Sequence, residues 1–527
     1  MAKKKTSVAA KPKTRAPEPA SILGFDLRPA LGGGTAGGAG EPGKERGPRG
    51  EAVLVGAQAA SRLRQLLPEL PAWLVERALR KRGEPQIMAR PEGPLWLLIP
   101  NSARPIAKSH AGLLEPSGYG AARDIVGLMM GSAVPDYQLA ELRLRFVEAD
   151  ADEIRGALVG VELGLYRFKS ARAGKPAALR LVVDGAPPAD VTAAGRIGNA
   201  VNLARHLVNS PPADLNPASF AAAVEAAFAG SKTTTVDVWE GERLARERLG
   251  LLSAVGQGAV EPARLVHIRY RPQGKARFKQ PLAFVGKGVT FDTGGLDIKD
   301  AASMRLMKKD MGGAASVFGL AYWVEQAGLD VACDFYLALA ENSVSERAFH
   351  PGDVITSRAG LTVEIDNTDA EGRLVMADAF DVAVKADGKD APHALIDLST
   401  LTGAMRIALG TRIAGYFATH DGLAEAVARA GQMVGEPTWR MPLFQDYWSS
   451  LKSTVADFAN SSGSRFGGAI TAALFLQRFV GNVPWVHFDL YAWTEGAVGG
   501  CAESGGNGQG VQLLAAVLEA LPADFFG

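Results

Sequence analysis

Two stretches of the chain concentrate the residues that could do chemistry. The first, VGKGVTFDTGGLDIKDAASMRLMKKDMGGAA (Val285 to Ala315), carries Lys287, Asp292, Lys299 and Asp310; the second, IDNTDAEGRLVMADA (Ile365 to Ala379), carries Asp369, Glu371 and Arg373. The carboxylates of Asp292, Asp310, Asp369 and Glu371 can meet only if the fold brings two loops together, and unneutralised they would repel strongly. Divalent cations such as Mn²⁺, Mg²⁺ or Zn²⁺ suit such an oxygen-rich set, and bridging carboxylates hold two ions roughly 3.5 to 4 Å apart. Such a pair turns bound water into a nucleophile near neutral pH. Neither stretch contains a histidine, and the Arg373 guanidinium does not deprotonate. The base is therefore a carboxylate not fully engaged by metal or an anion held by Arg373. An extended NTDAEGR segment would point Asn367, Asp369, Glu371 and Arg373 to one side. Gly294, Gly295 and Gly372 would allow close backbone approach or a positive φ.

The elements that must position these residues alternate in type. PLAFVG, VACDFYLALA, LTVEID and HALIDLST read as strands, and the segments through GAASVFGLAYWVEQA and RLVMADAFDVAVKA read as helices. Alternation of this kind predicts a mixed, mainly parallel sheet covered by helices, with its site at the carboxyl ends of strands. Lys287 and Asp292 directly follow one strand and Asp369 and Glu371 another, which places both motifs at equivalent strand ends. LTGAMRIALG follows a third strand. Further on, DFANSSGSRFGGAITAALFLQRF opens from a glycine loop into a helix, so Arg465, Gly467 and Gly468 are candidates for the site entrance. His487 in VPWVHFDL falls on a buried strand and reads as a core residue.

Upstream, LPAWLVERALRKRG and ARDIVGLMMGSAV read as helices and PLWLLIP as a buried strand. The fold class expected is α/β: a smaller N-terminal α/β domain followed by a larger catalytic one, divided as a tail over 1–50, an N-terminal domain over 51–185 and a catalytic domain over 186–527. Ser170 to Pro188 reads as the transition, and Asn216 as a helix cap ahead of Pro217. His110 in the smaller domain reads as a packing or surface residue.

With 527 residues, 47% hydrophobic and 21% charged, the chain has the composition of a soluble globular protein of two or three domains. Its two cysteines, Cys333 and Cys501, exclude a disulfide framework and a Cys-rich zinc motif and fit a reducing cytoplasm. No apolar run reaches the roughly 18 residues needed to span a bilayer. The first 50 residues are basic, with ten Lys+Arg against four Asp+Glu, and rich in Pro and Gly, which predicts disorder; the rest of the chain carries a net charge of −5. Lys3, Lys4, Lys5, Lys11, Lys13 and Arg15 would suit an acidic surface or a transit peptide, but a solvated tail explains them as well. The run Gly32 to Gly40 is a linker rather than a phosphate loop, because no strand precedes it and no Lys-Ser/Thr follows.

The two motifs resemble those of the leucine aminopeptidase, or cytosol aminopeptidase, family of dinuclear metallo-exopeptidases, whose signature is NTDAEGR. The resemblance covers about Asn199 to the C-terminus and implies the following roles. Asp292 and Glu371 bridge two metal ions, Mn²⁺ or Zn²⁺; Asp369 completes one site, and Lys287 and Asp310 the other. Lys299 is the electrophile beside the scissile carbonyl, and Arg373, opposite, holds a bicarbonate. Met307, Thr400 and Gly403 line the pocket for the first side chain, of broad Leu- or Met-like preference. Lys287 would ligate only as the free amine, whereas Lys299 should stay charged to stabilise an oxyanion. The chain departs from the family's usual wording at Asp297, where a Ser is commoner, and in HFDLYAWTEG. A carboxylate two residues before Lys299 could alter that lysine's pKa.

The resemblance further implies short peptide substrates, a homo-hexamer and a cytoplasmic location, with neither membrane nor nucleic-acid partners. Two alternatives share parts of the pattern. A two-metal hydrolase of other esters or amides, such as phosphoesters, would use the same carboxylates but lacks an Arg or His cluster for phosphate. A non-catalytic or DNA-binding regulator of this fold would use the basic tail and tolerate Asp369→Ala.

Overall fold

The computed structural model describes residues 21–23, 25–31, 48–101, 114, 116–133, 135–168 and 179–526. Most of the basic tail, the Gly32 to Gly40 run, His110 and the SARAGKPA segment lie outside these residues. One described part of the tail departs from the expected disorder. Phe25 and Leu31 are buried, and the Phe25 ring lies 5.3 Å from that of His206. Phe25 and Leu31 thus dock this segment on the folded body.

Two sheets organise the rest. The smaller has five strands, in the spatial order Gln86–Met88, Leu95–Leu98, Arg49–Val55, Glu141–Val147 and Arg180–Asp184, all parallel to their neighbours except the first. Helices Gly118–Leu128 and Ala151–Leu165 pack together on this region. The longer of them begins in a capping box formed by Asp150 and Glu153.

The larger sheet has eight strands and is mixed, with a parallel centre made of Trp485–Asp489, Ala394–Ser399, Leu282–Asp292 and Cys333–Asn342. Side-chain alternation explains its burial. Leu282 and Phe284 enter one apolar core with helices Pro188–Asn209, Gly312–Ala327 and Val511–Ala520, whereas Ala283 and Val285 enter a second with helices Gly250–Gly256, Gly372–Val384 and Gly468–Gln477. Both faces are covered, as a parallel centre requires. The first core continues into the smaller region, so the two sheets share apolar packing. Asn216 caps the helix Pro217–Ala227, with Pro217 in its first turn.

Two expectations about strand ends change. The central strand does not stop at Gly286 but runs through Asp292, with a register shift against its neighbour between Val289 and Asp292. The short strand Thr362–Glu364, ahead of the second motif, pairs in a separate three-stranded sheet, not in the large one. Its three residues are too short and too half-buried to join a central sheet.

Candidate active site

Lys287 and Asp292 project from the far half of the central strand. Asp310 stands at the end of a short helical turn, Met307–Lys309, and is followed by the helix Gly312–Ala327. Asp369 and Glu371 come from a turn that leads into the helix Gly372–Val384. NTDAEGR is therefore not extended: Glu371 has helical backbone angles, and Arg373 already lies in the helix. Asn367 instead organises the turn, its Oδ1 accepting the Asp369 amide at 2.7 Å. The apolar spacing of RLVMADAF, which demands a helix, overrides period-two alternation here.

These segments converge on one point. Carboxylate oxygens of Asp292, Asp369 and Glu371 lie within 4.8 Å of one another. Lys287 Nζ sits 2.7 Å from Asp310 Oδ2 and 2.9 Å from Glu371 Oε1. Lys299 Nζ is 2.8 Å from Asp292 Oδ2 and also pairs with Asp369. Glycines make this approach feasible. A Cβ on Gly372 would fall 2.6 Å from Lys287 Nζ, and Gly294 and Gly295 both take positive φ in the loop that carries Lys299.

The electrostatics follow from burial. Desolvation raises the pKa of Glu371, and the Asp292 charge adds to it against the pull of Lys287. Asp369 moves the same way, by burial and Asp292, with Lys299 opposing. Burial alone would lower the Lys287 pKa, but the carboxylates of Asp310, Glu371 and Asp292 outweigh it and raise it above the ordinary lysine value. Lys299 is likewise raised, burial being outweighed by Asp292, Glu371 and Asp369. Arg373 is pulled down to about 10 by burial, with Glu371 and Asp489 opposing.

The donor set fits divalent cations. Asp310 Oδ2, Asp369 Oδ1 and Glu371 Oε1 are buried atoms with no hydrogen-bond partner, although lysine nitrogens lie beside them. Buried acceptors left this way are rare unless a ligand completes them. Thr400 donates to the other oxygen of Asp310 at 2.7 Å, and Asn342 Nδ2 donates to Asp292 Oδ1 at 2.9 Å. In Asp310 and Asp292 one oxygen is thus fixed by a neutral donor while the other faces a lysine of the cluster.

A cavity of about 760 Å³ opens over the cluster, and all ten of the site residues expected from sequence line it: Lys287, Asp292, Lys299, Met307, Asp310, Asp369, Glu371, Arg373, Thr400 and Gly403. Gly468 also lines it, but Arg465 and Gly467 do not. Asp297 does not pair with Lys299; its Oδ2 accepts from the Thr368 amide at 2.7 Å and hydroxyl at 3.0 Å, which ties the Lys299 loop to the second motif. His487 is fully buried, its Nδ1 2.7 Å from Asp397.

Sequence reasoning missed several residues. Asn342 bridges Asp292 and the Thr368 carbonyl, and Asn460 holds the 366–367 backbone while its carbonyl accepts from Arg373 Nη1 at 2.6 Å. Asp489 accepts from the amides of Leu401 and Thr402 and from the Thr402 hydroxyl. Lys309 and Tyr491, also in the cavity wall, carried no recognised motif. Asn460 and Asp489 lie inside the late stretches already noted, where buried polar residues among apolar neighbours were the available signal.

A carboxylate cluster with two lysines, carried by the end of a central strand and by the loops beside it in a mixed α/β fold, defines a metallohydrolase. The catalytic-domain model of the cytosol aminopeptidase family matches residues 202–515. A probable cytosol aminopeptidase of Nostoc punctiforme is 44% identical over 364 residues, covering 67% of this chain and 72% of that protein. The chain belongs to the cytosol aminopeptidase family, whose members are metal-dependent aminopeptidases. Among solved structures, the cytosol aminopeptidase of Coxiella burnetii is similar at a TM-score of 0.74 and 33% identity, over 90% of this chain and 98% of that one. The bottromycin maturation enzyme BotP, solved in complex with Mn, is similar at a TM-score of 0.78 and 31% identity, over 90% and 99%.

Proposed function

We propose that this metal-dependent aminopeptidase works through Lys299 and Arg373 over a two-metal site formed by Lys287, Asp292, Asp310, Asp369 and Glu371. The observation that carries this reading is the convergence of Asp292, Asp369 and Glu371 beneath the cavity, beside buried oxygens of Asp310, Asp369 and Glu371 that have lysine nitrogens next to them but no hydrogen bond. Two Mn²⁺ or Zn²⁺ ions bound there would supply water activation and Lewis-acid polarisation. The protein's own groups do the rest. Lys299, at the cavity wall with its charge secured by Asp292 and Asp369, donates to the oxygen that becomes negative as the carbonyl is attacked. Arg373, fixed by Asn460 and with its Nε unspent, holds a small oxyanion such as bicarbonate on the other side. Met307, Thr400 and Gly403 border the space for the first side chain, so Leu- and Met-like residues fit, with discrimination between them of only ~1 to 3 kcal/mol per methylene.

Residues 51–185 form the N-terminal domain in this reading and 186–527 the catalytic one. Substrates are short peptides, and the location is cytoplasmic; no helix among the described residues is long and apolar enough to cross a membrane. The exposed side chains of Ile298, Ile407 and Phe466, close in sequence to cavity-lining residues, suit burial between copies of the chain in a homo-hexamer.

The test is hydrolysis of leucine p-nitroanilide by metal-stripped protein with Mn²⁺ or Zn²⁺ restored, beside Lys299→Ala and Asp369→Ala. Metal-restored activity that collapses in both variants is the expected result. A folded, metal-loaded wild type that releases no N-terminal residue from a varied peptide set would overturn the peptidase roles, and phosphoesters would be tried next.

A further inference from the structure

The cavity wall next to the proposed metal ligands carries two cations with no ion-pair partner among the described residues. Lys309 immediately precedes Asp310 and lies one short turn from Met307, so it shares the wall assigned to the substrate's first side chain. It is only 6% exposed, and its Nζ lies 4.5 Å from the centre of the Tyr491 ring. The guanidinium of Arg406, on the helix Gly403–Leu409, approaches the same ring at 4.6 Å. Among the described residues, neither cation has a hydrogen bond or an ion pair.

The carboxylates of the cavity are otherwise engaged. Asp292, Asp310, Asp369 and Glu371 face the metal cluster. Asp489 takes its donors from the 401–402 backbone and the Thr402 hydroxyl, and Asp297 from Thr368. A buried ammonium that touches an aromatic face but has no direct anionic partner, only the more distant charges of Asp310 and Asp489, is costly unless a ligand completes it. Desolvation also makes any carboxylate brought to it a strong partner.

From this arrangement we infer that the pocket for the first side chain accepts an acidic residue, so that peptides beginning with glutamate or aspartate are substrates, with Lys309 and Arg406 receiving the side-chain carboxylate. This deepens the aminopeptidase reading and rests on it. The N-terminal amine is drawn to the carboxylate-rich end, the stem lies along Met307, Thr400 and Gly403, and the terminal carboxylate meets the cations beside Tyr491. Lys309 and Arg406 act here as specificity-determining residues.

The experiment compares Glu-, Gln- and Leu-p-nitroanilides, which lack a C-terminal carboxylate that could occupy the cations instead, on the Mn²⁺-loaded full chain. Glu and Gln differ in charge but scarcely in shape. The expected result is a glutamyl over glutaminyl kcat/KM ratio on the order of 30, carried mainly by KM. Lys309→Met should bring the ratio to about 3 or less, Lys309→Arg should restore part of it, and Arg406→Gln, at an exposed position, should lower it several-fold. A second readout needs no turnover: L-glutamate should raise the melting temperature of the Mn²⁺-loaded wild type more than L-leucine does, and Lys309→Met should abolish the difference. A wild type that cleaves the leucyl anilide but prefers Gln to Glu overturns the acidic pocket and leaves the aminopeptidase reading standing. If no anilide is cleaved, the aminopeptidase reading fails, and the L-glutamate shift alone decides the pocket: its presence in wild type and loss in Lys309→Met supports the cation pair, its absence overturns it.

Discussion

Both regions of this molecule bury carboxylates, and they treat them in opposite ways. In the smaller region, Glu153 accepts the amides of Ala57 and Asp150, and Glu162 accepts those of Ala30 and Leu31. Each of these acids joins one chain segment to another, and both of its oxygens accept a backbone amide in doing so. In the larger region, Asp310, Asp369 and Glu371 each keep a buried oxygen that lies beside a lysine without a hydrogen bond, and Asp369 and Glu371 face Asp292. Burial alone therefore does not mark a functional acid. What marks it is burial combined with unspent acceptor capacity and a like-charged neighbour, an arrangement that stability would never select by itself.

The contrast can be broken most decisively at the active site. Lys299→Ala should reduce kcat by about 10²- to 10³-fold with an unchanged circular dichroism spectrum, because in the proposed mechanism the residue stabilises developing charge and not the fold. A loss of structure in parallel with activity would mean that the buried ion pairs here are structural after all. Next in size is the packing beneath the site. A Cβ on Gly313 would fall 2.0 Å from the Leu398 carbonyl oxygen and 3.0 Å from the Lys287 amide nitrogen. Gly313→Ala should cost about 3 kcal/mol in chemical denaturation, by forcing the helix off the strand that carries Lys287. A neutral result would show that the strand and helix can separate without disturbing the ligands.

Glu162 sharpens the comparison from the other side. Burial pushes its pKa up to about 7, against the lowering effect of the Leu31 and Ala30 amides, whereas the unfolded chain has an ordinary value near ~4.3. The folded state then holds the proton more tightly. The contribution to stability is fully present below the unfolded pKa and is lost as pH rises through about 7. Glu162→Gln should flatten the fall in melting temperature between about pH 5 and 8, on the order of 2 kcal/mol across that window, and leave peptide hydrolysis at optimal pH alone. An unchanged pH slope would mean that water reaches this acid. The smallest effect belongs to the surface: Arg64 and Glu76 lie 2.6 Å apart but with side chains 64% and 56% exposed, so Arg64→Ala should shift stability by less than about 0.5 kcal/mol.

Much of the site was legible in sequence because its residues sit in two short stretches and carry unusual types for their surroundings. Lys287 and Asp292 stand in a run otherwise made of Gly, Val and Phe, where charged side chains need a reason. The α/β alternation was legible for the same cause, since PLAFVG and VACDFYLALA are apolar on both faces. What was not legible arises from partnership across the chain. NTDAEGR contains period-two carboxylates, but the helix that begins at Gly372 takes Arg373 with it. Asp297 read as a possible perturber of Lys299, yet Thr368, 71 residues away, claims it. Phe25 and Leu31 looked like stray apolar residues in a basic tail until the two helices beneath them supplied Glu162 and His206.

The register shift in the central strand has a consequence for how the chain can change length. Lys287 and Asp292 are five residues apart, an odd spacing that would send them to opposite faces of a regular strand. Between Val289 and Asp292 the strand takes three steps while its neighbour takes two, from Ala340 to Asn342. That extra residue reverses the parity and turns both side chains toward the same cavity. Adding one residue at Thr290 or Phe291 would leave every apolar residue before it in place and turn Asp292 toward the helix layer, whereas removing one would straighten the strand and leave Lys287 and Asp292 at an even spacing, on one face. The face that carries the cluster thus depends on a count of residues as well as on their kinds: between Val289 and Asp292 it is one extra residue, and not two, that keeps Lys287 and Asp292 on one side.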